Sequence, residues 1–87
     1  MNVYMVERSL KGISMTDLGT AQKAAIETAG NMTRQGTPVN YIRSTFIPDS
    51  GACMCLFSAN DPSAVKTLNE KAGIPFDRIV SAFDLTP

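Results

Sequence analysis

Four short stretches of the chain, apolar runs or alternating ones, have the pattern of strands, and apolar positions recur with a helical period in two others. Residues 2–8, NVYMVER, form a short apolar run with Val3 and Met5 on one face and Tyr4 and Val6 on the other, which predicts a strand buried on both sides. After a loop from Ser9 to Gly12 the period changes. Leu18, Ala21, Ala25, Ala29 and Met32 recur at spacings of three and four, one stripe of a helix. Ser14, with Asp17 three residues on, resembles a capping box at its start. Gly36 and Pro38 end it. Gly30 weakens the helix interior, and close packing is one reason to keep it. Val39–Ile47 and Ala52–Ser58 are two strands joined by Pro48-Asp49-Ser50-Gly51. Pro48 sets φ, Asp49 and Ser50 bond their own backbone, and Gly51 accepts a positive φ. Asp61-Pro62 opens a second helix with stripe Val65, Leu68 and Ala72, closed by Gly73 and Pro75. RIVSAFDL, residues 78–85, alternates again as a fourth strand.

The order strand, helix, strand, strand, helix, strand predicts an α+β, ferredoxin-like βαββαβ fold over residues 1–87, a single domain. A four-stranded antiparallel sheet carries both helices on one face. The other face needs a partner. A bulge at Gly51 after a type I turn would pair Pro48 with Ala52. That register places Ile42, Phe46, Met54 and Leu56 beneath the helices. It places Tyr41, Arg43, Cys53, Cys55 and Phe57 on the uncovered face. A slip of one residue would invert the sorting.

Composition narrows the function. Eight basic and eight acidic residues cancel, so no basic stripe points to nucleic acid. No apolar run reaches the ~20 residues that span a bilayer. Nothing at the N-terminus resembles a secretory signal, so a cytoplasmic protein is expected. Histidine is absent, which removes the commonest metal ligand and the usual base at neutral pH. A monomer of this size buries only about 60–65% of the surface its unfolded chain exposes, so pairing with a second copy would help it.

The opening VERSLKG, the strand YIRS, the run CLFSANDPSAV and the segment KAGIPFDRI together resemble a family of small bacterial domains of unknown function. That family has a ferredoxin-like fold, includes a nickel-binding member, and belongs to the dimeric α+β barrel group. The resemblance covers most of the chain in the same order and implies a dimeric α+β barrel. Members carry a histidine where Arg43 stands, another near Leu68, and a glutamate where Ser58 stands. An arginine has no free lone pair for a metal, so these departures argue against nickel.

The expected function is a homodimer, joined through the open sheet face, with a pocket between sheet and helices for a small polar or anionic organic molecule. A cofactor-free enzyme is one form of it. Arg43 is the expected anchor, with Tyr41, Cys55 and Phe57 as further ligand contacts. Tyr4 as donor and Glu7 as acid or base form the catalytic candidate pair. Arg43 also has structural partners within reach of the same reasoning, Glu7 or Asp84. The alternatives are a soft metal held by Cys53 and Cys55, and a structural or regulatory dimer. The two thiols lie about 6.5–7 Å apart along an extended strand, at the limit for a disulfide, so they are expected free. No cofactor is expected, nor a metal ligand set beyond that cysteine pair.

Overall fold

The alternation in the sequence becomes a sheet in the computed structural model, which describes residues 1–87. The elements are β1 (Asn2–Ser9), α1 (Met15–Arg34), β2 (Val39–Phe46), β3 (Ala52–Ala59), α2 (Pro62–Ala72) and β4 (Arg78–Ala82). All neighbouring strands are antiparallel, in the order β2-β3-β1-β4. This is the ferredoxin-like plan. Central strands β1 and β3 divide their side chains strictly by parity. Tyr4, Val6, Cys53, Cys55, Phe57 and Ala59 are buried together with Ala25, Ala29 and Met32 of α1 and Val65 and Leu68 of α2. Val3, Met5, Met54 and Leu56 point to the other face and are only half-buried. No helix is long and apolar enough to cross a membrane.

The helix ends follow their local chemistry. Ser14 Oγ accepts the Asp17 N–H at 3.1 Å. Asp61 Oδ1 accepts the N–H groups of Ser63 at 2.9 Å and Ala64 at 3.3 Å, and Pro62 takes the first helical position. These contacts satisfy N–H groups that a helix start otherwise leaves free. Gly73 closes α2 in the left-handed region, φ 71°. The alanine stripe of α1 lets the helix lie close on the sheet. Gly30 is not part of that approach: a Cβ there would meet only the Arg34 guanidinium, at 3.4 Å.

Three expectations need correction. The fourth strand stops at Ala82 rather than Leu85, and Phe83 and Leu85 stand about 90% exposed (91% and 90%). The hairpin register differs by one residue. The Gly51 N–H donates to Ile47 O at 2.8 Å and the Ile47 N–H donates to Ala52 O at 2.9 Å. Ile47, not Pro48, therefore faces Ala52, across a loop of four residues instead of three. This puts Cys53, Cys55 and Phe57 under the helices and Met54 and Leu56 on the open face, the reverse of the expected sorting. Third, β2 carries a bulge between Tyr41 and Arg43. An extra residue switches the side on which later residues point. Tyr41 thus faces the helices while Arg43 faces away. Phe46 packs against the core as expected.

Candidate functional site

The parity that buries Tyr4 and Val6 also carries Arg8 inward at the end of β1. Arg8 is 3% exposed. Its Nη1 donates to Pro75 O at 3.2 Å and its Nη2 to Asn69 Oδ1 at 2.8 Å. Asn69 is itself fully buried and fixed by an Nδ2–H bond to Val65 O at 2.9 Å. No carboxylate pairs with this guanidinium: the two ion pairs of the chain are Arg43–Asp84 and Arg78–Glu7. A buried cation whose partners are neutral oxygens is incompletely compensated. Arg8 is not among the residues expected at the site. Its position two residues beyond Val6 and four beyond Tyr4 was the available signal.

Arg8 lines a cleft of about 150 Å³ between the sheet and α1. Leu10, Leu18, Ala21, Ala25, Phe46 and Ile74 supply most of its wall, and Ser44, Gln22, Cys53 and Cys55 the remainder. A hydrogen-bonded chain runs along this wall. Gln22 Nε2 donates to Tyr41 Oη at 3.0 Å, Tyr41 shares a 2.6 Å bond with Ser44 Oγ, and Ser44 Oγ donates to Cys55 Sγ at 2.9 Å. The Cys53 and Cys55 sulfurs are 3.8 Å apart. Burial, with the neighbouring Cys55 second, pushes the Cys53 thiol up to about 11, against an opposing pull from Arg8. Cys53 is therefore a neutral thiol at physiological pH.

This shift has a measurable sign. A thiol with a folded pKa above its ordinary 9.0 favours the fold while protonated, so the contribution is complete below pH 9 and is lost as pH rises towards about 11. Urea midpoints should fall more steeply between pH 9 and pH 11 in the native chain than in Cys53→Ala. Equal pH slopes would show that the thiol does not titrate with folding.

The expected site residues do not form one constellation. Tyr41, Cys55 and Phe57 face the helices, with the Tyr41 and Phe57 rings edge-on at 5.5 Å. Of these only Cys55 lines the cleft, and Tyr41 braces two residues that do. Arg43, the expected anchor, is on the open face and paired with Asp84. Tyr4 and Glu7 have opposite parity on β1, so they do not form a donor–base pair. The Tyr4 hydroxyl accepts from Asn2 Nδ2 at 3.4 Å, and Glu7 pairs with Arg78.

Residues 4–81 match the family model described as nickel responsive protein SCO4226-like. Among solved structures, that of SCO4226 from Streptomyces coelicolor A3(2) superposes with a TM-score of 0.80 and 22% identity. The alignment covers 97% of this chain and 99% of that one. At this identity the likeness concerns the fold. A search of curated proteins finds no match.

The side chains present do not fit a nickel ion. No three His, Cys, Asp or Glu residues converge anywhere in the chain. Cys53 and Cys55 offer two sulfurs with no third donor, and Cys53 holds its proton. Both lie on the helix-covered face, so a second copy docking on the open face cannot add thiols to them. Arg43 and Ser58 are on the open face, while Leu68, on the inner side of α2, is fully buried.

Proposed function

The chain belongs to the SCO4226-like nickel responsive protein family, and we propose that it serves as a homodimeric small-molecule-binding domain rather than a nickel site. The ligand is a small polar or anionic organic molecule, and the cleft between the sheet and α1 receives it. The carrying observation is the cleft itself, mostly apolar, with a buried guanidinium in its lining. Ligand sites commonly combine a mostly apolar concavity with a few fixed polar groups. The reading favours binding over catalysis. The titratable groups of the cleft are Arg8 and the two cysteines, and a thiol pushed up to about 11 is a poor nucleophile and a poor base at neutral pH.

A panel of small organic molecules at millimolar concentration, read by thermal unfolding, tests this. Compounds that stabilise the native chain should lose their effect in Ala21→Phe, whose ring fills the cleft. If no compound stabilises the protein, or the stabilisation survives Ala21→Phe, the cleft is not the site.

The dimer rests on the open face. Val3, Met5, Met54, Leu56 and Val80 form a half-buried apolar centre, flanked by Arg43–Asp84 and Glu7–Arg78. An apolar centre with a charged rim suits a two-fold interface. Sedimentation should give a dimer for the native chain and a monomer for Leu56→Lys. Ligand effects should persist in that variant, because the cleft is on the other side of the sheet. A native chain that sediments as a monomer at tens of micromolar would count against the dimer.

A further inference from the structure

We infer that the cleft selects a compact monocarboxylate: one planar anionic head on Arg8 and an apolar body about the size of a single aromatic ring. This rests on the proposal that the cleft is a ligand site, and it names the chemistry of the occupant.

Charge carries the first part. A guanidinium offers five N–H donors, and two of them reach oxygen acceptors, Pro75 O and Asn69 Oδ1. Beyond these two oxygens the guanidinium meets the Cys53 thiol, a weak acceptor, and the residue lines the cleft, so strong-acceptor contacts remain to be made there. Every acceptor near it is neutral: a carbonyl, an amide oxygen and a protonated thiol. No carboxylate forms an ion pair with it: Glu7 pairs with Arg78, Asp84 with Arg43, and Asp77 accepts from Ser9 Oγ. A carboxylate matches the remaining donors in a forked arrangement and supplies the missing counter-charge. Asn69 acts as a positioning residue. It accepts from Nη2 and is itself tied to Val65 O, and so limits rotation of the guanidinium.

Shape carries the second part. A cavity near 150 Å³ is about the volume that accepts benzene in an apolar protein interior. Leu18, Phe46 and Ile74 give the wall no further charge to meet a second anionic group. A dicarboxylate or a phosphorylated sugar would leave polar groups facing these side chains, which is unfavourable.

The test is calorimetric titration with benzoate, benzamide and benzyl alcohol, three molecules of one size that differ in charge. The native chain should bind benzoate roughly tenfold to a hundredfold more tightly than the other two. Arg8→Met should abolish that preference, and Arg8→Lys should keep a reduced one. The Arg8→Met, Asn69→Leu double variant removes both hydrogen-bonding partners, keeps the volume, and serves if the single change unfolds the domain. Benzamide bound as tightly as benzoate overturns the anion assignment and leaves the pocket proposal standing. No binding of any of the three, with no stabilisation from the wider panel, overturns both.

Discussion

Replacing Asn69 with leucine is expected to destabilise the domain by about 2–4 kcal/mol, and Arg8→Met in the same chain is expected to restore most of the loss. Asn69 Oδ1 accepts the shorter of the two Arg8 hydrogen bonds, 2.8 Å, in a fully buried setting. Leucine has similar volume, so no large cavity forms. The cost comes from stranding a desolvated cation, and hydrogen bonds to charged groups are worth about 1.5–3 kcal/mol. Arg8→Met alone leaves Asn69 Oδ1 and Pro75 O short of a donor, a smaller loss of about 1–2 kcal/mol. Removing both partners together leaves an apolar contact in place of a charged one, a change that is often neutral. Urea denaturation of the four chains closes the cycle. Strictly additive losses would mean that the two residues do not sense each other.

Gly51→Ala is expected to lower stability by about 2–4 kcal/mol, a large part of the margin of a small domain. Two independent effects act at this residue. Its φ is 78°, where a Cβ is strained. An added Cβ would also lie 2.3 Å from Lys11 Cα and 2.4 Å from Lys11 N. Those atoms are backbone and cannot rotate away. The close approach exists because the Leu10 N–H donates to Gly51 O at 2.8 Å, which ties the β1–α1 loop to the hairpin. Leu10 and Arg8 both line the cleft, so the variant should also weaken ligand binding if the domain remains folded. A change in urea midpoint corresponding to less than about 1 kcal/mol would show that the loop yields freely.

These two residues mark what the sequence could and could not reveal. Turn and cap chemistry is local, and it was legible: Ser14, Asp61, Gly73 and Gly51 each do what their side chains, or lack of one, dictate. Element order followed, and with it the ferredoxin-like plan. Facing was not legible, because it depends on single-residue counts. A loop of four residues instead of three shifts the hairpin register, and one extra residue between Tyr41 and Arg43 shifts it again. Those counts decide which β2 residues share a face with Cys55 and Phe57, under the helices, and which with Met54 and Leu56. Both sets are apolar enough for either side, so composition could not arbitrate. Asp84 as a partner for Arg43 was within reach of charge reasoning. Arg8 was harder to see. Its burial becomes plain only once Asn69 and Pro75, more than sixty residues away in sequence, close over it.

The proposed anchor is Arg8, buried and without a carboxylate partner, rather than Arg43, which is exposed and paired with Asp84. A titration of benzoate into isotope-labelled protein, followed by NMR at the Arg8 Nε–H resonance, addresses that assignment directly. The expected result is a saturable shift of this resonance, in step with the backbone amides of Ala21, Ser44 and Ile74 around the cleft. An unchanged Arg8 signal, with shifts confined to Arg43 and Arg78 on the open face, would contradict it.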